Sequence, residues 1–292
     1  MSATTPIHVD PTPAILADGH PDAPLPGRRR RIRWGRVFAW LIFIAAAIYF
    51  LLPLVATLLF SLRARPPGFA YTNSFKDPQF LGSLIYSFVM ATITIVVSIA
   101  LLLPTAYWVR LRLPRLRPVV EFVTLLPFVI PPIVLVFGLI RIYSKPPLAL
   151  TSTTTGTDVL LAAGYVVLSL PYMYRAIDTG LGAIDIRTLT EAAQSLGAGW
   201  PTIVLRVILP NIRVALVGGA FLTLAIVLGE LVLAQYLFRP AFGPYLSNIG
   251  RSRTYEPAAV SLVAFGLTWM AMFAIAFVGR KSRTRVSVTG GR

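Results

Sequence analysis

The chain has 292 residues, of which 56% are hydrophobic and 13% are charged. A soluble domain usually has about a quarter charged residues, so the composition excludes an ordinary soluble fold and indicates a membrane protein. The net charge is +16, but the basic residues flank apolar segments and form no nucleic-acid-binding pattern. We therefore expect membrane lipid, and not nucleic acid, as a partner. The absence of cysteine excludes thiol catalysis and zinc thiolate sites.

Residues 1–36 predict a disordered, basic cytoplasmic leader. The first 27 residues hold six prolines, and a run of arginines follows before the first apolar segment. His8 and His20, the two histidines of the chain, have no partner at metal-ligand spacing, so we expect no metal site. The arginine run suits contact with anionic lipid headgroups, and a role in setting the topology explains it equally well.

Six apolar blocks follow, each about 20 residues or more and so long enough to cross a bilayer. They are residues 37–62, 82–109, 119–140, 158–177, 214–238 and 257–279. The expected fold class is therefore an all-α membrane protein with six transmembrane helices. Residues 37–279 would form the membrane domain, and residues 280–292 a basic cytoplasmic tail. The run 151–157, rich in threonine, predicts a loop on the outer side.

The distribution of Lys and Arg predicts the orientation. With the N-terminus inside, the segments on the cytoplasmic side carry 19 basic residues and those on the outer side carry 8. Cytoplasmic loops carry an excess of basic residues, so we expect a multi-pass protein of the inner (plasma) membrane with both termini in the cytoplasm.

The connection between the fourth and fifth blocks predicts structure of its own, because about 36 residues is long for an unstructured loop. Apolar residues recur there at helical spacing: Ile186, Leu189, Ala193 and Leu196. Thr188 followed by Glu191 fits a capping box, which predicts that this helix begins near Leu189.

Glycine and proline predict where this helix ends and a second one begins. Gly197 and Gly199 end the first helix, since glycine accepts the left-handed backbone found at helix C-termini. Pro201 suits the first turn of the second helix, and Pro210 ends it. The segment is therefore predicted to be a short amphipathic helix, a sharp turn and a second helix.

This element has two interpretations, docking to a partner protein and lying flat on the bilayer. Ala192 and Ala193, small residues on an exposed face, would let a partner's surface approach closely. The alternative, a helix lying flat on the bilayer, predicts basic and bulky apolar residues, of which the first helix has few. The residues therefore favour docking to a partner protein.

The same residues resemble the signature of the inner-membrane permeases of ATP-binding-cassette importers. That signature is Glu-Ala-Ala, three residues, Gly, nine residues and Ile-x-Leu-Pro. The chain has Glu191-Ala192-Ala193, then Gly197, and then Val207-Ile208-Leu209-Pro210 after nine residues. Only Val207 departs from the pattern. The number of apolar blocks and the proline-rich third block LLPFVIPPIVLVFGL also resemble this family, over roughly residues 37–279.

The resemblance implies a mechanism and a set of partners. Residues 186–210 would form a cytoplasmic coupling helix docked on an ATP-binding-cassette ATPase, with Glu191 facing a basic group there. Gly197 would set the angle between the two helices, and Leu209 and Pro210 would lead back into the membrane. The family also implies a second permease, more often a different chain than a second copy, and an extracytoplasmic solute-binding protein. ATP would be bound by the partner ATPase and no cofactor by this chain.

Catalytic motifs are absent from the sequence. There is no Gly-x4-Gly-Lys-Ser/Thr phosphate loop and no nucleophile–base–acid set, so we expect a transport subunit that is not itself an enzyme. An ion-gradient-driven secondary transporter is the rival class. Such a protein normally has inverted repeats and charged groups near the bilayer midplane, and we find no internal repeat.

Glu230 is the ionisable residue placed well inside a block, with Gln235 nearby. A buried ionisable group is a functional candidate, so these residues could line the pathway or form a gate. A structural role in holding helices together is the alternative. Glu121, Asp158 and Asp178 lie at block ends, where water reaches them, and need no special role.

The pair Gly229-Glu230 resembles a pair found in permeases for polyamines, ferric iron, sulfate and molybdate. With Tyr236 after it, the sequence looks closest to the spermidine/putrescine branch. The resemblance therefore implies polyamine transport, with ferric iron, an oxyanion or another small organic solute as alternatives.

Overall fold

A computed structural model describes residues 34–280 of the chain. Most of the predicted leader, including both histidines and most of the arginine run, and nearly all of the predicted tail lie outside the described residues. The described residues divide into two units, 34–50 and 51–280, and the packing below is that of the second unit.

The described part of the chain consists of helices joined by turns and contains no strand. The helices are α1 (Trp34–Ser61), α2 (Phe69–Lys76), α3 (Pro78–Leu111), α4 (Arg117–Val129), α5 (Pro132–Tyr143), α6 (Thr154–Gly182), α7 (Ile186–Ser195), α8 (Trp200–Thr202), α9 (Leu209–Asn211), α10 (Arg213–Gly229), α11 (Val232–Tyr236), α12 (Phe242–Ser252) and α13 (Glu256–Arg280). A π-helical turn, Ile203–Ile208, joins α8 to α9. The predicted all-helical class is confirmed.

The described helices supply four to six candidate membrane spans. Helices α1, α3, α6 and α13 are long and apolar enough to cross a bilayer singly. Two bent pairs, α4 with α5 and residues 200–211 with α10, bring the number to six if each pair is one span.

The third apolar block does not form the continuous span that its sequence predicts. Helix α4 ends at Val129, α5 begins at Pro132, and the two helices are bent by 101°. Proline lacks an N–H donor and forces the preceding residue out of the helical region, which explains the extended backbone at Ile130 and Pro131 (ψ 116° and 140°). The two consecutive prolines therefore break the block.

The fifth block also ends early. Helix α10 stops at Gly229, and Glu230 has an extended backbone (φ −77°, ψ 129°) before the short helix α11. The prediction of one helix through residue 238 was wrong because the Glu230 side chain begins a new helix, as described below. Helix α6, in contrast, begins earlier than predicted, since the Thr153 hydroxyl accepts a hydrogen bond from Gly156 N at 3.0 Å. Part of the run predicted as a loop is therefore helical.

Helix α6 packs against both α3 and α10, which also contact each other. Small residues allow the close approach of α6 and α10. A Cβ added to Gly180 would lie 2.8 Å from Ala215 Cβ, and one added to Gly219 would lie 2.9 Å from Ala176 Cβ. Such small-residue contacts are the usual means of packing helices in a membrane, where lipid is as apolar as the helix surfaces.

Most of the buried apolar residues belong to two clusters along these helices. One cluster surrounds the N-terminal part of α3 and includes residues of α11 and α12. The other, here called the loop-side cluster, surrounds the C-terminal part of α3 and includes residues of α7 and of the 200–211 helix. The predicted loop is thus packed onto the end of the helical bundle.

Candidate functional site

The element singled out by the sequence is residues 186–211, here called the loop segment. Its first helix, α7, begins at Ile186 and is capped by Asp185. The Asp185 carboxylate accepts hydrogen bonds from Thr188 Oγ1 at 2.7 Å and Thr188 N at 3.2 Å. These bonds lower the pKa of Asp185 below its usual range, and its negative charge suits the positive end of the helix dipole.

The predicted capping box was therefore wrong. Thr188 is a donor to a cap three residues earlier, and Glu191 takes no part in capping. Asp185 and Thr188 have the same three-residue spacing as the predicted pair, and an aspartate is at least as good an N-cap as threonine. The sequence therefore contains a capping signal at Asp185, but the prediction placed the cap one turn too late, at Thr188.

Helix α7 ends in a Schellman turn at Gly197. Ala198 N donates to Ala193 O at 3.0 Å, and Gly197 N donates to Gln194 O at 2.8 Å. Gly197 has the left-handed backbone (φ 80°) that its sequence position predicts. A Cβ added there would meet nothing within 4 Å, so backbone conformation and not space requires glycine. Gly199, predicted to help end this helix, instead has an extended backbone and precedes α8.

Ala193 and Leu196 differ in exposure from what was expected of them. Ala193 is only 9% exposed and packs in the loop-side cluster, so it is not on the docking face predicted for it. Leu196, which the helical spacing groups with Ile186 and Leu189 on the apolar side, is 89% exposed. It lies beyond the last helical turn, where the backbone bends into the Schellman turn and the 3.6-residue period no longer applies.

The exposed face of this segment forms the loop surface, defined as Glu191, Ala192, Ser195, Leu196 and Trp200. The Glu191 carboxylate lies 3.8 Å from Arg187 Nε, and both side chains are largely exposed. Such pairs contribute about 0–1 kcal/mol, so this contact holds the carboxylate only weakly.

A cleft of about 270 Å³ lies beside the loop surface, between the end of α3 and α7. Trp108 and Trp200 lie on its walls with ring centroids 6.5 Å apart, and Arg112 and Glu191 supply charges of both signs. The surface thus combines apolar, aromatic and charged groups within one small area.

The second helix of the loop segment runs through Pro210, which was predicted to end it. The helix continues to Asn211 and then meets α10 at an angle of 82°. Because Pro210 has no N–H, the preceding turn is rearranged, and Leu209 N donates to Val204 O in the π-helical pattern. Leu209 packs against the loop-side cluster, and Pro210 is exposed.

An ionic cluster next to the loop segment joins three helices. Asp178 on α6 accepts from Arg110 Nε of α3 at 2.8 Å and from Arg117 Nη2 of α4 at 3.1 Å. Arg117 Nε also lies 2.9 Å from Glu121 Oε1. The expectation that Glu121, Asp158 and Asp178 need no role was wrong for Asp178, whose partners are more than 60 residues away and give no local signal. It was also wrong for Asp158, which lies 3.1 Å from Arg239 Nη1.

Glu230 and Gln235, predicted together as pathway or gate residues, lie in different environments. Glu230 is 8% exposed, and its carboxylate accepts from Leu233 N at 2.8 Å and Ala234 N at 3.3 Å. It therefore caps α11 at the break after α10. These contacts favour the structural alternative for Glu230.

Gln235 is exposed and lines a cavity of about 630 Å³ at the end of α3 that is remote from the loop segment. The cavity includes Gln79 near the start of α3, and the cleft beside the loop surface includes Tyr107 near its end. At 1.5 Å per residue these positions lie about 40 Å apart. The chain thus has two separate candidate sites, one at each end of the bundle.

The described residues form an all-helical bundle with up to six candidate spans. One face of the loop segment packs on this bundle and the other face is exposed, an arrangement that suits a membrane permease. Residues 98–281 match the family described as the binding-protein-dependent transport system inner membrane component. The chain belongs to this family, the permease subunits of ABC importers, which work with ATPase subunits and solute-binding proteins.

Relatives in this family differ in the solutes that they are named for. The chain is 34% identical over 197 residues to a probable molybdenum ABC transporter permease protein of Haloferax volcanii, covering 65% of this chain and 70% of the relative. It is 26% identical over 221 residues to the spermidine/putrescine transport system permease protein PotB of Haemophilus influenzae, covering 69% of this chain and 75% of PotB. The family is therefore established, and the solute is not.

A solved structure has the same fold. The crystal structure of a bacterial ABC transporter involved in the import of the acidic polysaccharide alginate superimposes with a TM-score of 0.66 at 14% identity. The match covers 86% of this chain and 99% of the other chain. At this identity the similarity establishes the fold alone.

Proposed function

We propose that the chain forms half of the membrane pathway of an ATP-driven importer and that its loop segment docks on a cytoplasmic ATPase. In this proposal the chain has six spans, with both termini in the cytoplasm. The observation that carries it is the loop surface, where Leu196 is 89% exposed and Trp200 and Glu191, on the same short segment, are also exposed. Large exposed apolar groups rimmed by polar residues mark protein interaction sites.

The opposite face of the loop segment supports a mechanical role. Ala193, Ile203 and Ile208 are buried in the loop-side cluster together with residues of α3 and α6. The Schellman turn and the Asp185 cap fix α7 at both ends. A displacement applied to the loop surface would therefore move the ends of α3 and α6 and not simply bend a flexible loop.

The remaining signature residues have roles in this proposal. Glu191 and Ala192 would contact the ATPase, and Gly197 would set the angle between α7 and the next helix. Leu209 and Pro210 would connect the loop segment to α10 across the 82° bend. ATP would bind to the partner subunit, and closure of two such subunits would move two loop segments together.

The partners follow from the family. A second permease would complete the pathway, and the resemblance to the polyamine branch favours a different chain over a second copy. An extracytoplasmic binding protein would deliver the solute. The sequence resemblance and PotB favour a polyamine, and the molybdenum relative favours an oxyanion.

The proposal is tested by purifying the tagged chain in mild detergent and counting co-purifying subunits by mass spectrometry. We expect a phosphate-loop ATPase in a 1:1 ratio to permease chains and a second permease. Leu196→Asp should remove the ATPase, because it places a charge at the centre of an apolar contact. Leu148→Asp is the matched control, an exposed leucine in the connection between α5 and α6.

Retention of the ATPase by Leu196→Asp in the same amount as by Leu148→Asp would exclude the loop surface as the docking site. A chain that purifies alone and transports without ATP would instead be a secondary transporter.

A further inference from the structure

The cavity remote from the loop segment has a polar wall whose chemistry the family does not specify. Its volume is about 630 Å³, and it lies between the start of α3 and the connection from α11 to α12. Its polar lining includes three carboxamides and one guanidinium group, from Gln79, Gln235, Asn248 and Arg239. Arg239 is the one charged side chain among the described residues that line it.

Arg239 is held at the cavity wall by contacts with α6. Its Nη1 donates to Asp158 Oδ1 at 3.1 Å and to Thr154 O at 3.0 Å. The hydroxyl of Tyr86 on α3 donates to the same carboxylate oxygen. The Asp158 carboxylate is thereby engaged by two side chains. The guanidinium uses Nη1 and Nε in the described bonds and keeps Nη2 for a further acceptor.

The second carboxylate beside the cavity is also paired. Asp77 Oδ2 lies 3.3 Å from Arg253 Nη2 and accepts a hydrogen bond from the Tyr245 hydroxyl at 3.3 Å. Tyr245 itself lines the cavity. Both carboxylates are therefore paired with an arginine, and the hydroxyls of Tyr86 and Tyr245 donate their hydrogen bonds to them.

The backbone before Arg239 is strained in a way that fixes this arrangement. Phe238 has a left-handed conformation (φ 54°), which is rare for a bulky residue, and its side chain is 88% exposed. The strain is not explained by burial of the ring. The left-handed conformation of Phe238 turns the chain so that Arg239 points back to α6. Residues with a strained backbone of this kind are concentrated at functional sites.

We propose that this cavity receives an oxyanion and disfavours a polyamine. The inference rests on the proposed importer function and names the class of solute for it. An oxyanion presents acceptors only, which match Arg239 Nη2 and the carboxamide N–H groups. A polyamine presents several ammonium groups, which require unpaired carboxylates, and no carboxylate is among the described residues that line the cavity. The cavity is larger than a tetrahedral oxyanion, so the ion would keep part of its hydration shell.

The test uses two substitutions that break the same ion pair with opposite effects on charge. Arg239→Gln leaves the cavity wall with the Asp158 carboxylate, and Asp158→Asn leaves it with the Arg239 guanidinium. Uptake of radiolabelled molybdate, sulfate and spermidine is measured in cells that contain the chain with its partner subunits. Uptake rates are normalised to the amount of each variant in the membrane.

Molybdate or sulfate uptake should fall by about tenfold or more in Arg239→Gln, the loss of one charge-assisted hydrogen bond, and should fall less in Asp158→Asn, whose amide oxygen can still accept from Arg239 Nη1. Equal loss in both variants would mean that the ion pair is only structural and would overturn the proposal. Uptake of spermidine but of neither anion would also overturn it, as would uptake of none of the three probes.

These failures are distinguishable from failure of the importer function. If the ATPase co-purifies and uptake of spermidine depends on it, the importer stands and only the oxyanion inference falls. If no ATPase co-purifies, the importer function itself is wrong.

Discussion

Two helices of this chain end in the same hydrogen-bonded turn, one at each end of the bundle. In α7 the turn centres on Gly197. In α11 it centres on Phe238, where Arg239 N donates to Ala234 O at 2.8 Å and Phe238 N donates to Gln235 O at 3.2 Å. Both central residues have a left-handed backbone, with φ of 80° and 54°.

The difference lies in what holds each turn. At Gly197 the residue type alone permits the conformation, and the surroundings are open. At Phe238 the left-handed backbone costs about 1–2 kcal/mol, which contacts from other helices must offset. These are the bonds of Arg239 to α6 and the bond from Phe242 N to Ser87 Oγ at 2.8 Å. One turn is fixed locally and the other by tertiary structure.

The largest expected effect is on the locally fixed turn. Gly197→Asp should abolish uptake while the protein remains in the membrane, because its side chain would project from the loop surface into the docked partner. Gly197→Asn is the control of equal size that tolerates the same backbone without a charge, and it should keep part of the uptake. Uptake assays with immunoblots of the membrane fraction decide this. Wild-type uptake in Gly197→Asp would exclude a role for the turn in coupling.

Because contacts between helices hold the turn at Phe238, we expect substitution of Gly243 in the neighbouring helix α12 to have a strong effect on stability. A Cβ there would lie 2.2 Å from Glu230 O, so Gly243→Ala must push α12 away from the break after α10. We expect a loss of about 1–3 kcal/mol in the free energy of unfolding. Gly250→Ala on the same helix meets nothing within 4 Å and should not destabilise. Thermal unfolding in detergent compares the two, and equal melting temperatures would contradict the close contact.

Substitutions of Glu230 distinguish a role as a helix cap from a role in the transport pathway. Glu230→Ala leaves the buried N–H groups of Leu233 and Ala234 without an acceptor, which should cost about 1–3 kcal/mol of stability. Glu230→Gln retains one acceptor oxygen and should lose less. Melting temperatures and uptake are measured together. Unchanged stability with abolished uptake in Glu230→Gln would instead support the pathway role.

Removing the strain at the second turn should have a smaller effect of opposite sign. Phe238→Gly should raise the free energy of unfolding by about 0.5–1 kcal/mol, since relief of the strained backbone exceeds the entropic cost of glycine. The same change should lower anion uptake if the strain positions Arg239. A lower melting temperature would show that the phenylalanine ring stabilises the turn.

The smallest effect concerns the start of α7. Asp185→Ala should reduce hydrogen-exchange protection at the first turn of α7 at neutral pH, because it removes the acceptor for Thr188 N. The folded pKa of Asp185 is lowered, so its stabilisation is present above the ordinary aspartate pKa and is lost as the pH falls through the lowered value. Wild type and variant should therefore converge in acid. A difference that persists there would contradict the charged cap.

The sequence predicted the features that local residues determine. Gly197 marks its turn because glycine is the residue that accepts that backbone, and the apolar blocks predict the helices. The break at Pro131-Pro132 could have been predicted from the same local rules. Leu196 was misplaced because periodicity was extended one residue into a turn.

The features that escaped prediction depend on residues far apart in the chain. Nothing near Phe238 indicates a left-handed backbone, since the contacts that impose it come from α3 and α6. The close approach of Gly243 to Glu230 and the bonds of Asp178 to Arg110 and Arg117 likewise exist only after the helices pack. Sequence periodicity contains no information about which helices meet.

The central claim is that the loop surface docks on the ATPase, and the cysteine-free chain allows a direct test. Ala192→Cys, carrying a photoactivatable thiol-specific crosslinker, would be illuminated in membranes that contain the whole transporter. We predict a covalent product with the ATPase whose yield changes on addition of ATP, and no such product from Leu148→Cys. Crosslinking of Ala192→Cys to lipid alone, or equal products from both positions, would contradict the claim.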